Sequence, residues 1–415
     1  MELRERLEKV VAASVSAAAG RGERGLVRGG SLDSKRGRGS GSWATASDEN
    51  PATRGNVPPR DPRRAPNAAA PRDPRQRPDP SEPFTTTEQR IALDDLGLEI
   101  VGRGAPDPLT LAHLGLRGEP PARWEDVLFL DCETTGLSSG TGTYIFLLGT
   151  GWIADGELVL RQHLLNDLGA EHEFVGMLHA ELGRFRACAS YNGKCFDLPL
   201  LRTRVVLALR AELTVDESHL DLLHPARRLW SGRFGSTTLR QLEESVLDDG
   251  RTDDIPGALI PERYFAYLRS ADPATVGPIL THNLRDIVSL VRITDRVAVA
   301  VVLARSGRAP DHPAAAFALA RVFERTREQE AAFCCYESAY ADADSELRMR
   351  IALPFARALE RRGEDARALR MLETLLDLEH GRPRWRLLAE ARVRRLARKE
   401  ARDSRARVVA TSARA

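Results

Sequence analysis

Residues Val127 to Gly142 read VLFLDCETTGLSSGTG, an apolar run that ends in two carboxylates one residue apart and then a loop of serine, threonine and glycine. Along a strand, residues i and i+2 share a face roughly 6–7 Å apart, so Asp131 and Glu133 aim at one point while Cys132 points into the opposite layer. Two carboxylates held this way repel each other and have raised pKa values unless a cation sits between them. Taken alone, the pair serves equally well as a solubilising strand end. The glycine-rich half suggests other chemistry, a loop that wraps phosphate. No Lys-Ser/Thr follows SSGTGT, however, and the next segment has the pattern of a strand, so no helix N-terminus is offered to an anion.

Working outward, the spacing predicts strands at Val127–Asp131, Tyr144–Trp152 and Leu158–Leu165, the last two joined by the Asp155-Gly156 turn, as an antiparallel meander. A helix is expected over Glu171–Leu182 and a fourth strand over Ala187–Tyr191. A helix with Pro199 in its first turn follows, then a short strand at His219–Leu222. A helix over Thr237–Val246, capped by Ser236 or Thr237, and a long helix over Val276–Ala304 complete a mixed-sheet α/β domain.

Further acids fall at the edges of these elements. YNGKCFDLPLL (Tyr191–Leu201) sets Asp197 at a helix start, where the dipole alone would favour it. THNLRDIVSL (Thr281–Leu290) sets His282 and Asp286 at i and i+4 on one helix face, a spacing that an ordinary surface His–Asp contact also satisfies.

The ordered set is more specific than its parts. Asp-x-Glu-Thr-Thr-Gly after the first strand, Asn-x-x-x-Phe-Asp after the fourth and His-x-x-x-Asp on a late helix resemble the DEDD superfamily of ribonuclease H-like 3′-to-5′ exonucleases. FLDCETTGLSSGTGTYIFLLG, YNGKCFDLPLL, HLDLLHPARRLW, DIPGALIPERYF and HNLRDIVSL together resemble the bacterial YprB-like group within it, in which such a domain precedes tetratricopeptide-like helices. The resemblance covers residues 126–300, and 311–380 more loosely. It implies a ribonuclease H-like mixed sheet flanked by helices, with Asp131, Glu133, Asp197 and Asp286 holding two Mg²⁺ or Mn²⁺ ions and His282 as general base. It also implies that Thr134, Gly136, Leu137, Asn192 and Phe196 lie against the substrate. One feature departs from the pattern: His282 stands four residues before Asp286, the spacing of the superfamily's tyrosine subgroup, which leaves His282 between a base and a helix-face partner. Asn192 serves equally as a turn residue before Gly193, and Asp221 as a support for the metals or a cap for the turn after it. Lys194 and Arg202 are phosphate contacts or plain surface residues.

Composition supports this organisation. A chain of 415 residues with 42% hydrophobic content can bury a large core, and its net charge of +2 hides a segregation. Residues 1–92 carry 17 Lys and Arg against 12 acids, residues 382–415 carry 12 against 3, and the middle is acidic by a net of 12 charges. Nucleic acid would therefore be attracted by the ends, or by cations bound in the middle. Residues 20–83, rich in Arg, Gly, Ser and Pro with units such as PRDPRQRPDP, predict a disordered tether. ARVFERTREQEAAFCCYESAY (Ala320–Tyr340) aligns on ARALERRGEDARALRMLETLL (Ala356–Leu376) at an offset of 36 residues with seven identities, a pattern resembling tetratricopeptide hairpins as well as an alanine-rich helical bundle.

The expected domains are an N-terminal helix and tether (1–85), a lead-in (86–125), the exonuclease domain (126–306), helical repeats (307–381) and a capping helix with a basic tail (382–415). That tail is either solvated or an electrostatic arm for nucleic acid. Five cysteines without a C-x-x-C pair argue against zinc or a disulfide framework. The early apolar run has three glutamates in front of it and is a poor secretory signal, and no run approaches the roughly 20 residues that cross a bilayer. The expectation is a cytoplasmic, metal-dependent nuclease acting on RNA or DNA at a single-stranded 3′ end, with a protein partner on the repeats and no membrane. Its rival is a helical-repeat adaptor whose nuclease-like domain binds nucleic acid without cutting it.

Overall fold

The computed structural model describes residues 82–116, 118–136, 141–213, 218–251, 254–377 and 383–412. The helix and tether expected over 1–85 lie outside the described residues as far as residue 81, as do Leu137 to Gly140.

The chain forms a six-stranded mixed sheet flanked by helices, followed by a helical region. β1 (Phe84–Ala92), β2 (Val127–Thr134), β3 (Ile145–Ala154), β4 (Glu157–Leu165), β5 (Ala187–Ser190) and β6 (His219–Asp221) lie in the order β1-β4-β3-β2-β5-β6. The meander β2–β3–β4 is antiparallel, and β5 and β6 run parallel to β2. The β3–β4 turn is tight because Asp155 and Gly156 both adopt positive φ, 52° and 78°, which suits the right-handed twist of the flanking strands.

β1 was not expected. It begins at Phe84, inside the span assigned to the tether, and pairs antiparallel with β4 along its length. FTTTEQRIA is β-branched but polar, as an edge strand must be, and Glu88 is held by Arg161 at 2.7 Å.

Alternation along β2 assigns the two faces. Leu128 and Leu130 pack with Phe174 and Leu178 of α2 (Glu171–Leu182), Leu201 and Val205 of α3 (Asp197–Leu209), and Tyr264 of α6 (Ile260–Ser270). Val127 and Phe129 face the other way, onto Leu284, Ile287, Val288 and Val291 of α7 (Pro273–Arg305). Asp272 caps α7 by accepting from Ala274 N at 3.0 Å.

Between these helices lie α1 (Pro108–Leu114), α4 (Leu223–Phe234) and α5 (Leu239–Ser245). The cap of α5 is Thr238, whose side chain accepts from Gln241 N, and not Ser236 or Thr237: the helix starts later than expected because Thr238 is the last extended residue. Asp295, buried on α7, accepts the backbone N–H groups of Glu99, Ile100 and Val101 at 3.1, 2.7 and 2.9 Å through one oxygen, and so fastens the lead-in segment to the domain.

The C-terminal region is helical: α8 (Pro313–Thr326) with α9 (Gln329–Asp342) and α10 (Ser345–Arg361) with α11 (Asp365–Leu376) form two hairpins. Their apolar residues Ala316, Leu319, Phe323 and Phe355 belong to the same continuous core as the α7 face of the sheet. At the junction, Arg305 near the end of α7 donates to Glu328 (2.8 Å) and reaches His113 of α1 (3.0 Å), while His113 meets Glu328 at 2.7 Å. α12 runs unbroken from Pro383 to Ser412, so the segment read as a tail is helical over its described length. Its Arg, Ala and Glu are strong helix formers, and Glu390 pairs with Arg386 and Arg394 one turn away on either side.

Candidate active site

The end of β2 carries the first two acids out from the core. Asp131 and Glu133 share the face that looks onto α7, and α7 meets them with Asn283, whose Nδ2 donates to the Asp131 carbonyl at 3.2 Å and to its Oδ2 at 2.9 Å. The amide is held in turn by Gln162 of β4, whose Nε2 donates to Asn283 Oδ1 at 2.9 Å. This close crossing depends on Gly149, which faces Asp131 across the β2–β3 ladder. A Cβ on residue 149 would come 2.8 Å from Asn283 Cγ, and one on Gly151 would come 2.6 Å from Ile287 Cγ2. We expect Gly149→Ala to push Asn283 off Asp131 and to cost about 10–100-fold in any reaction Asp131 serves. Gly151→Ala should instead lower Tm alone, since overpacking of this kind costs about 1–3 kcal/mol; equal rate losses in the two variants would contradict this division.

Asp197 arrives from the other layer. It is the first residue of α3, and both the backbone N–H and the thiol of Cys132 hydrogen-bond its carboxylate. Cys132 thus does face away from Asp131 and Glu133, and the third acid meets it there. The turn that delivers Asp197 is tied down by Asp221 on β6, which accepts from Asn192 N (2.8 Å), Lys194 N (3.2 Å) and Leu223 N (3.1 Å). Asn192 sits at φ 63°, a left-handed conformation that asparagine tolerates.

On α7, His282 and Asp286 stand one turn apart beside the strand end. His282 Nε2 lies 4.0 Å from Glu133 Oε1 and 3.7 Å from Asp286 Oδ2, while its Nδ1 lies 2.7 Å from Asp254 Oδ1. Behind them Arg251 is buried against Glu243 of α5, Asp254 and Asp286, with Asp286 engaged through Oδ1. Glu243 also accepts from the Ser289 hydroxyl.

Asp131, Cys132, Glu133, Thr134, Gly136, Phe196, Asp197, His282 and Asp286, together with Leu200, Gly257 and Ile260, line an open cavity of about 280 Å³. Burial, then the charges of Asp286 and Asp197, hold the Asp131 carboxyl well above the usual range; burial, then Asp131, does the same to Glu133. Burial lifts Asp197 to about 7 against the hydrogen bonds it accepts. Burial opposes charge on His282 too, but the bond to Asp254 and the charge of Asp286 outweigh it and the imidazole is raised. Among the described residues, no three of these groups converge tightly enough to grip an ion as they stand. By chemistry the donor set still fits a hard divalent cation, since it is all oxygen, and the burial that opposes ionisation of Asp131, Glu133 and Asp197 is what such a charge offsets.

The structure therefore brings Asp131, Glu133, Asp197, His282 and Asp286 together, with Thr134, Gly136 and Phe196 at the same cavity. Phe196 is 56% exposed at its rim. Asn192 does not line the cavity and is a turn residue, because its backbone N–H is taken by Asp221. Leu137 lies outside the described residues. Asn283, Arg251, Glu243 and Asp254 were not foreseen. Asn283 had a signal, its place next to His282, whereas Arg251 and Asp254 stand in an irregular segment with no periodicity to show where they face.

A family model described as the RNase_H superfamily matches residues 128–298, a span that holds all five expected catalytic residues. The chain is also similar to the uncharacterized protein YprB of Bacillus subtilis (strain 168), 32% identical over 225 residues that make up 53% of this chain and 54% of that protein. It thus spans about half the length of that relative.

Proposed function

We propose that the ribonuclease H superfamily domain over residues 128–298 is a divalent-metal-dependent 3′-to-5′ exonuclease of the DEDD type, acting on single-stranded ends of RNA or DNA. The observation that carries this reading is the convergence of four carboxylates from β2, α3 and α7, with one imidazole, on a single open cavity. Asp131, Glu133, Asp197 and Asp286 would hold two Mg²⁺ or Mn²⁺ ions, and such a pair supplies acidification of the attacking water and charge stabilisation at the departing 3′ oxygen.

The chain's own groups do the rest. His282 presents Nε2 to the carboxylates, where it can take the proton of the attacking water, an effect typically worth about 10²–10⁴-fold. Asn283 holds the Asp131 carboxylate in one orientation. The exposed ring of Phe196 offers a face on which a terminal base stacks, about 1–3 kcal/mol per base in such contacts. The hairpins α8–α11 would act as tetratricopeptide-like repeats and seat a protein partner. No helix among the described residues is long and apolar enough to cross a membrane.

A second reading, an adaptor that binds nucleic acid without cutting it, draws on Arg251, whose guanidinium already occupies one oxygen of Asp286. Incubating the protein with Mg²⁺ or Mn²⁺ and 3′- or 5′-labelled single and double strands of RNA and DNA separates the two. Stepwise shortening from the 3′ end that chelator abolishes is the expected result. Cleavage that survives chelation would overturn the metal-dependent mechanism, and binding without cleavage would leave the adaptor.

A further inference from the structure

The best use of Asp254 is not among the four metal acids. Its Oδ1 lies 2.7 Å from His282 Nδ1 and its Oδ2 accepts from Arg251 Nη1 at 3.1 Å, so both oxygens are committed away from the cavity. His282 Nδ1 has a second neighbour, Arg251 Nη1 at 3.3 Å, and these two contacts make opposite demands. A guanidinium can only donate and a carboxylate can only accept, so Nδ1 either carries a proton for Asp254 or offers a lone pair to Arg251. The shorter, charge-assisted bond is the one to Asp254, and Arg251 Nη1 already gives a hydrogen to that same carboxylate.

We propose that Asp254 is a positioning residue that keeps the His282 proton on Nδ1, so that Nε2 faces Glu133 and Asp286 with its lone pair free, and that Arg251 anchors Asp254 for this task. The role of Nε2 as a base rests on the exonuclease reading; the location of the proton does not. Asp254 stays ionised throughout, because the bond from His282 and the charges of His282 and Arg251 outweigh its burial and bring it to about 2. This arrangement gives His282 a function that its spacing from Asp286 left open. The base is oriented from outside its own helix, by a residue 28 positions earlier.

The test locates the proton directly. The full-length protein labelled with ¹⁵N-histidine is measured at about pH 9, where the neutral imidazole prevails, and the His282 signals are assigned by their disappearance in His282→Gln. We expect the Nδ1–H form in the unaltered protein. In Asp254→Asn, whose amide can donate to Nδ1, the proton should move toward Nε2, and kcat for a labelled oligonucleotide should fall by about 10²–10⁴-fold with KM little changed. An Nε2–H form in the unaltered protein would overturn the inference even if the variant failed to fold. So would a loss of kcat in Asp254→Asn with the tautomer unmoved, or a reversed tautomer with kcat unmoved. Should the unaltered protein cleave nothing, the exonuclease reading falls, while the nitrogen spectra still decide which atom holds the proton.

Discussion

Replacing Asp131 with asparagine should abolish metal-dependent cleavage and at the same time make the metal-free protein harder to unfold. On the proposed reading the loss should be at least about 10³-fold in kcat, because one of the four carboxylates that would hold the ions is removed. The gain in stability follows from the carboxylates' shifts. Asp131, Glu133 and Asp197 bind protons more tightly folded than unfolded, Asp197 up to about 7, so above the unfolded value of about 4 folding works against their ionisation. The metal-free protein should therefore lose stability as pH rises from about 4 to 7, and Mg²⁺ should raise Tm more at the alkaline end of that window. Asparagine at 131 can still accept from Asn283 but has no charge to bury, which should add about 1–3 kcal/mol near neutral pH and flatten the slope. Thermal melts with and without Mg²⁺ across this range check both parts. A metal-free Tm that rises with pH would show that these carboxylates do not strain the fold.

Arg251→Ala should be the most damaging change for the fold outside the apolar core. The guanidinium is 6% exposed and serves Glu243, itself 3% exposed, as well as Asp254 and Asp286. Burial argues against its charge, yet Asp286 and Glu243 hold it protonated with room to spare. Removing one partner of a buried ion pair leaves the other charge without compensation, a loss of about 3–5 kcal/mol, which for a protein of this size lowers Tm by roughly 5–7 °C. Arg251→Met combined with Glu243→Gln should recover part of it, since the stranded charge is then gone. Denaturant unfolding of the three proteins measures this. A single-variant loss below about 1 kcal/mol would mean that water reaches Glu243.

Much of the sheet was legible because its signals are local. β2, β3 and β4 alternate or run fully apolar between turn residues, and Asp155-Gly156 writes the hairpin into two positions. β1 escaped because threonines carry the strand and its pairing partner lies some 70 residues on, a long-range fact that no window of sequence contains. At the site, the acids could be named from their order, but not what supports them. Asn283 orients Asp131 only because residue 149 lacks a side chain, and Arg251 and Asp254 reach His282 from a segment without regular structure. Asn192 shows the reverse case: expected against the substrate or in a turn, it lies outside the cavity lining at a left-handed turn position.

The junction at Arg305 bears on how the molecule comes apart. Val297, Val301 and Ala304 on the last turns of α7 are buried in the same core as Ala316, Leu319 and Phe323 of the first hairpin, and Arg305 ties Glu328 to the helix of His113. A break in the chain between residues 307 and 312 would strip one side of the helix that carries His282 and Asp286. Modularity read from a repeat pattern is thus not modularity in cooperativity. The sheet domain and the hairpins share one apolar core, so heat or denaturant should take both in one transition, and a proteolytic fragment ending at Gly307 should lose the geometry of a site that lies wholly within it.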